Sequence, residues 1–143
     1  MNLPVEGVFH NLLVVSIDKQ YPGHARKVMM GMMSQGMLSL TKTVVVVDED
    51  VDVQDKAEVL WAVTSRMDAA RDVEIIERAP LDHLEHAAPR KAHGGKMGID
   101  ATRPWEGEGF ERDWPDEIEM DEDVQERVEE NWGEYGIVDG ETE

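Results

Sequence analysis

The sequence predicts an α/β fold, with a β-α-β-α-β core and a small parallel or mixed sheet, followed by a long irregular excursion and a C-terminal helix. Two observations predict it. Short apolar runs alternate with segments in which apolar residues recur at helical spacing, and this regularity ends after Pro80. We therefore expect an α/β core over residues 1–80, an irregular segment over residues 81–120 that packs on the core or on a partner, and an acidic helix with a tail over residues 121–143.

The first strand and helix are predicted within residues 11–36. Residues 11–17 are almost wholly apolar, as in a buried strand, and residues 21–23 contain Pro and Gly, which break the chain. A helix is predicted from His24, with Gly36 near its end. Its apolar stripe comprises Ala25, Val28, Met29, Met32 and Met33. This methionine-rich stripe is typical of a helix face that packs into a core.

The second half of the core repeats the pattern. Residues 43–47 contain four consecutive valines and predict a strand in the middle of the sheet. A helix capped by Asp52 or Asp55 follows and runs to about Met67. Its predicted inner face comprises Val59, Leu60, Val63 and Met67. Residues 73–77 predict a third strand, and the short links favour parallel pairing with right-handed crossovers.

The last part of the chain predicts one further helix. Proline and glycine punctuate the stretch after Pro80, which is too long for an ordinary connection. Residues 121–132 then predict a helix on which Val124, Val128 and Trp132 form a narrow apolar stripe. Such a stripe favours docking on this body or on a neighbouring chain.

Composition excludes several functions. The chain has 143 residues, a formal net charge of −18 and no cysteine. The acidity argues against nucleic-acid binding and against an anionic membrane surface, since both need clustered Lys and Arg. The lack of cysteine excludes disulfides, thiolate catalysis and cysteine-based zinc sites. No run approaches the roughly 18 apolar residues of a membrane span, and the N-terminal residues do not resemble a signal peptide, so we expect a cytoplasmic protein.

The negative charge is concentrated near the C-terminus. Residues 106–143 hold 17 acidic and two basic residues, a net charge of −15. This pattern fits a solvated tail, a segment that docks on a partner, or a protein adapted to high salt.

Three clusters have the residue types of ligand sites. Asp48, Asp50 and Asp52 resemble the start of a calcium loop, but the glycine and glutamate that such a loop requires are missing, so helix capping and solvation are favoured. His83 and His86 could bind a metal, but a surface role is favoured because no third ligand is evident. The third is a glycine-rich loop, in which Lys91 and above all Lys96 could contact an anion.

Five segments together resemble the C-terminal part of the UbiD family of decarboxylases. In order, they are Asn2-Leu3-Pro4 with residues 7–11, residues 21–30, Thr41-Lys42 with residues 47–52, residues 60–68 with residues 70–72, and residues 95–102. Their order and spacing match over about residues 1–105. The most similar members look like 4-hydroxy-3-polyprenylbenzoate decarboxylases of quinone biosynthesis.

This resemblance implies a function for a larger protein. The family carries out non-oxidative, reversible decarboxylation of aromatic and unsaturated acids on prenylated FMN, with manganese or magnesium and with potassium at the cofactor phosphate. Its catalytic Glu-Arg-Glu set and metal ligands lie in preceding domains. The resemblance therefore assigns no catalytic residue, flavin-binding residue or metal ligand to this chain. It predicts that the chain alone binds no cofactor and is inactive, and that an upstream flavin-binding domain or subunit and an oligomer of the full enzyme are its partners.

The resemblance also implies a border of the substrate pocket. The family's stretch after the third strand borders this pocket, and it corresponds here to Pro80, Leu81, Asp82 and Leu84. The chain could be a truncated gene product, a split subunit or a fragment. The alternative from another class is a non-catalytic interaction or oligomerisation module that retains the fold.

Overall fold

The computed structural model describes residues 1–8, 10–115, 118 and 120–136. The helices and strands are, in chain order, β1 (Leu12–Ile17), α1 (His24–Met32), β2 (Thr43–Asp48), α2 (Lys56–Arg66), β3 (Val73–Pro80), β4 (His93–Ala101) and α3 (Glu122–Glu130). Short 3-10 helices are Val5–Gly7, Gly36–Leu40 and Trp132–Glu134. The α/β fold class and the helix near the C-terminus are confirmed.

The four strands form one mixed sheet in the order β1-β2-β4-β3. β1 pairs with β2 and β2 with β4 in parallel, and Val45 lies between Val14 and Ile99. β3 runs antiparallel to β4, and Val73 pairs with Ile99 at one end of that ladder. A register shift interrupts the ladder between Ile76 and Ala79.

Two apolar layers cover the two faces of β1 and β2, because alternate side chains of a strand point to opposite faces. On one face, Leu13, Val15, Val44 and Val46 pack against Ala25 and Met29 of α1. The layer on the other face comprises Val14, Val45, Val47, Val51, Ala101 and, from α2, Ala62. The four consecutive valines of β2 thus serve both layers, which explains their apolar character at every position.

Local chemistry sets the starts of both core helices. Gly23 precedes α1 with a φ of 79°, a left-handed conformation that glycine adopts at little cost. Asp55 caps α2, since its Oδ1 accepts hydrogen bonds from the amides of Ala57 at 2.7 Å and Glu58 at 3.3 Å. Of the two predicted caps for α2, Asp55 is therefore the one observed.

The structure corrects the predicted strand order. β4 lies within the 81–120 segment predicted as irregular, and it inserts between β2 and β3, so β3 does not pair in parallel with β2. Sequence patterning misses β4 because glycine is depleted in strands. Glycine is nevertheless suited to positions 94 and 98 of β4, because side chains of other segments lie where a Cβ would be. A Cβ on Gly98 would lie 2.5 Å from Met29 Sδ, and one on Gly94 would lie 2.9 Å from Leu81 Cδ1.

The predicted inner face of α2 is wrong at one position. Leu60 is exposed, and Ala62 and Arg66 are the buried residues of this helix. Val59 and Val63 pack against the sheet as predicted. The inner face of α2 was predicted incorrectly because Arg66, which is buried, has a charge that is typical of a surface residue.

The chain divides into two compact units, Met1–Arg112 and Asp113–Glu143. In the second, the helix predicted over residues 121–132 is observed as α3, and Val124 and Val128 are half-buried. Residues 137–143 of the predicted tail lie outside the described residues. Within the described part of the chain, no helix is long and apolar enough to cross a membrane.

Candidate functional site

The parallel strands β1, β2 and β4 all end at one edge of the sheet, which we call the carboxyl edge. Open α/β sheets bind ligands at this edge. A cleft of about 270 Å³ lies here. Lys19, Arg26 and Arg71 line it together with Asp72 and Glu108. The cleft therefore has both charge signs.

Lys19 joins three segments at this edge. It follows β1, is buried, and its ammonium donates to Thr102 Oγ1 at 3.0 Å, to the carbonyl of Arg103 at 2.9 Å and to Glu108 Oε2 at 2.5 Å. All three donor sites of a lysine are thereby used. Lys19 fixes the segment that follows β4.

Glu108 is the acceptor at the centre of this arrangement. Its Oε1 accepts from the amide of Gly23 at 2.6 Å, at the start of α1, and its Oε2 also accepts from the amide of Trp105 at 2.7 Å. Burial tends to raise the pKa of Glu108, but the hydrogen bonds from Lys19, Gly23 and Trp105 outweigh it and lower the pKa below the usual value. Glu108 is therefore ionised at neutral pH.

A second charged cluster follows β2. The side chain of Arg66 is 1% exposed, and its guanidinium donates to Asp48 Oδ2 at 2.9 Å and to both carboxylate oxygens of Asp50, at 3.1 and 2.9 Å. Arg103 donates its amide to Asp48 Oδ2 at 2.7 Å and its guanidinium to Asp50 Oδ2 at 3.0 Å. Trp61 lies 5.0 Å from the Arg66 guanidinium, in cation–π contact.

Burial and pairing act differently on the three main groups. Burial raises the pKa of Asp48, against the opposing effects of the Arg103 amide and Arg66. The Arg66 hydrogen bond lowers the pKa of the more exposed Asp50. Burial tends to lower the pKa of Arg66, but Asp50 and Asp48 outweigh it and raise it. The guanidinium of Arg66 is thus a permanent cation that lies between two carboxyl groups whose pKa values are shifted in opposite directions.

The remaining charges of the cleft are also paired. Arg71 donates Nε to Asp72 Oδ1 at 2.7 Å and a terminal nitrogen to Asp72 Oδ2 at 2.6 Å. Asp100 Oδ1 accepts from the Thr102 hydroxyl at 2.6 Å. We assign no chemical step to these contacts.

The predicted border of the substrate pocket lies at the opposite, amino edge of the sheet. Pro80 is the last residue of β3. The side chain of Leu81 is buried, and its amide donates to the Ala92 carbonyl at 3.1 Å. Asp82 accepts from His10 Nδ1 at 3.1 Å, and Leu84 is 59% exposed. These four residues are neighbours in the sequence, and their role as a pocket border stays a prediction.

Lys96 lies near this edge as well. It is buried, and its ammonium donates to the carbonyls of Ser39 and Thr41, each at 2.6 Å. Burial lowers the pKa of Lys96. Its contact with an anion stays a prediction.

The described residues offer no set of side chains that we assign to a metal or a flavin. Among residues 1–8, 10–115, 118 and 120–136, no group of three or more His, Asp or Glu side chains is placed to hold a metal ion, and this includes His83 and His86. The polar side chains that line the cleft hydrogen-bond to one another, Lys19 to Glu108 and Arg71 to Asp72. We therefore assign no metal or flavin ligand to the described residues.

Fold and family comparison agree on the class of this domain. The arrangement is a mixed α/β domain with its charged residues at the strand ends. Residues 1–101 match the family model of the 3-octaprenyl-4-hydroxybenzoate carboxy-lyase C-terminal domain, UbiD_C. The chain belongs to this family, as the resemblance predicted.

Known relatives are much longer than this chain. An uncharacterised protein of Archaeoglobus fulgidus is 58% identical over 134 residues, which are 94% of this chain and 28% of that protein. An uncharacterised Aquifex aeolicus protein is 48% identical over 95% of this chain and 28% of its own length. The chain thus spans about 28% of the length of these relatives.

Solved structures of UbiD-class enzymes share the fold. The Sedimentibacter hydroxybenzoicus vanillic acid decarboxylase in its closed form is 32% identical, with a TM-score of 0.72 over 83% of this chain and 26% of that one. The UbiD-class enzyme HmfF of Pelotomaculum thermopropionicum, in complex with FMN, is 38% identical, with a TM-score of 0.63 over 74% of this chain and 24% of that one. An evolved dimeric form of HmfF was solved with prFMN.

Sequence reasoning missed most of the carboxyl-edge residues. Lys19 gave one usable signal, a cation placed two residues after a buried strand. Glu108 gave none, because its contacts with Gly23 and Lys19 join positions 85 and 89 residues apart in the chain. Asp48 and Asp50 were singled out, but for capping rather than for holding Arg66.

Proposed function

We propose that this chain is the C-terminal domain of a prenylated-FMN-dependent, non-oxidative carboxy-lyase that acts on an aromatic or unsaturated carboxylic acid. The observation that carries the proposal is the family match over residues 1–101. The mixed sheet, shared with a vanillic acid decarboxylase at a TM-score of 0.72, supports it. Within this class, a 4-hydroxy-3-polyprenylbenzoate-like substrate of quinone biosynthesis is our specific proposal.

The cofactor proposal rests on HmfF, whose structures contain FMN and, in an evolved form, prFMN. When bound, prenylated FMN would supply the electron sink for the loss of carbon dioxide. We propose that the flavin, with manganese or magnesium and potassium, is held mainly by the remainder of the enzyme, in the cytoplasm and in an oligomer. This domain then contributes a wall of the substrate pocket.

The amino-edge segment is our proposed contribution to that wall. Leu84 is an exposed apolar side chain, and it lies beside the buried Leu81 in a segment held by charged contacts. An aromatic ring or a prenyl chain is apolar and would lose water on contact with Leu84. Pro80 and Asp82 border the same position.

A reconstitution in trans tests this function. The chain, the Archaeoglobus fulgidus relative without its matching segment, and the mixture of both are each supplied with prenylated FMN. Release of carbon dioxide from 4-hydroxy-3-prenylbenzoate is measured in each. We expect activity in the mixture and none with either part alone. Binding of the two parts without any activity, across this acid and 4-hydroxybenzoate, favours the non-catalytic interaction module instead.

A further inference from the structure

Two polar contacts, one of them a Lys–Glu ion pair, fasten the segment after β3 to the starts of two strands. His10, just before β1, places Nδ1 3.1 Å from Asp82 Oδ2. Lys42, just before β2, places its ammonium 2.7 Å from Glu85 Oε2. The side chain of Glu85 is 4% exposed, and those of His10 and Asp82 are also largely covered. We call residues 81–87 the clasped segment.

The same two carboxylates also shape the backbone of this segment. Asp82 Oδ1 accepts from the Leu84 amide at 2.8 Å, and Glu85 Oε1 accepts from the Ala87 amide at 2.7 Å. In each carboxylate, one oxygen contacts a side chain at the start of a strand, and the other accepts a hydrogen bond from an amide two residues further along the chain. Movement of either carboxylate therefore moves the backbone around Leu84.

The surroundings of Asp82 and Glu85 lower the pKa of both carboxyl groups. The Leu84 amide and then His10 lower the pKa of Asp82, and the nearby His83 acts in the same direction. The Lys42 ammonium lowers the pKa of Glu85, with a smaller contribution from His86. Both acids are therefore ionised when they hold the segment.

The clasp separates the two leucines of the segment. Leu81 is 2% exposed and packs against Gly94, where a side chain would leave no room for it. Leu84, three residues on, faces outward. The segment has one apolar side chain as an anchor and another available for contact.

We propose that His10 and Lys42 are positioning residues for substrate. Through Asp82 and Glu85 they hold Leu84 where it contacts the ring or prenyl group of an aromatic carboxylic acid. This inference rests on the proposed function. It adds two residues, distant in sequence from the pocket border, that set how well the substrate binds.

The first test measures the clasp in the 143-residue chain itself. Hydrogen exchange of individual amides is followed by NMR in His10→Ala and Lys42→Met variants. We expect the Leu81, Leu84 and Ala87 amides to exchange at least about fivefold faster, because a buried carboxylate loses its partner. Amides of β2 should keep their rates. Unchanged exchange of the clasped segment in both variants contradicts the clasp.

A matched control separates this effect from the loss of any ion pair. Lys56 and Glu6 form a similar Lys–Glu pair at 2.6 Å, but both side chains are exposed and neither belongs to the clasped segment. Lys56→Met should leave the exchange of Leu81, Leu84 and Ala87 unchanged. An equal acceleration in this control also contradicts the clasp.

The second test measures substrate positioning in an assembled enzyme, in which this chain replaces the matching segment of the Archaeoglobus fulgidus relative. With 4-hydroxy-3-prenylbenzoate, Lys42→Met and Leu84→Ser should each raise KM about fivefold and leave kcat within about twofold. Lys42→Arg should restore KM. Faster exchange with an unchanged KM contradicts positioning. If the unsubstituted enzyme has no activity, the proposed function itself fails, whereas the exchange result is independent of it.

Discussion

Replacing Arg66 by methionine removes a cation that joins Asp48 and Asp50 to helix α2. Methionine keeps the length and much of the apolar stem of the side chain but cannot donate hydrogen bonds. The variant leaves Asp48 half-buried, with the Arg103 amide still donating to it. It also removes the cation–π contact with Trp61.

The expected loss follows from the burial of the pair. Breaking a buried ion pair by removing one partner costs about 3–5 kcal/mol. Asp50 is 41% exposed and water replaces part of its lost interaction, so we expect the lower end, about 3 kcal/mol. For a domain of this size, that corresponds to a fall in Tm of roughly 12 °C.

The loss should also depend on pH. Burial already raises the pKa of Asp48, and without Arg66 we expect it to rise further. An acid whose folded-state pKa exceeds its unfolded value of about 3.9 destabilises the fold as the pH rises from the unfolded-state pKa to the folded-state pKa. Asp50, whose pKa is lowered in the native protein, loses a stabilisation that is present only above its unfolded pKa. The deficit should therefore be larger at neutral pH than in acid.

Urea unfolding at pH 7 and at pH 4.5, followed by circular dichroism, measures both effects. Arg26→Met is the matched control, because Arg26 pairs with Glu74 at an exposed position, where such a pair contributes about 0–1 kcal/mol. A loss for Arg66→Met no greater than that of the control would show that the Arg66 cluster contributes no more than an exposed ion pair. A deficit that grows in acid would refute the pH argument.

Three further substitutions test separate parts of the fold. Gly98→Ala should lower the free energy of unfolding by about 1–3 kcal/mol, measured by thermal unfolding, because the added Cβ meets Met29 Sδ. In a protein that already carries Met29→Ala, the same Gly98→Ala change should cost less. Ala92→Gly should raise stability in urea by up to about 1 kcal/mol, because Ala92 has a φ of 56°, and a clear decrease would count against that strain. Glu108→Gln should lower the free energy of unfolding by about 1–2 kcal/mol at pH 7, because the neutral amide contacts Lys19 more weakly. Since the pKa of Glu108 is lowered, this cost should shrink as the pH falls through that pKa. A cost that stays constant with pH would argue against an ionic contact.

Periodicity predicted the parts of the fold in which a segment's own residues determine its structure. β1, β2, α1 and α2 each have an apolar pattern that can be read locally, and all four are observed. β4 could not be predicted in this way. Its glycines accommodate Met29 and Leu81, so the reason for its sequence lies in other segments.

The candidate site was predictable to a smaller extent, for the same reason. The pocket border at Leu81 and Leu84 came from the family resemblance, and its four residues lie in one segment. The contacts of His10 with Asp82 and of Lys19 with Glu108 join positions 72 and 89 residues apart. A single sequence contains no signal for such pairs, because each residue alone looks like an ordinary surface charge.

The most direct measurement of the central claim is carbon dioxide release by the Archaeoglobus fulgidus relative in which this chain replaces the matching segment, loaded with prenylated FMN. We expect decarboxylation of 4-hydroxy-3-prenylbenzoate at a rate within about tenfold of the unaltered relative, and none when the segment is deleted. A folded, flavin-loaded hybrid that releases no carbon dioxide, while the unaltered relative does, would contradict it.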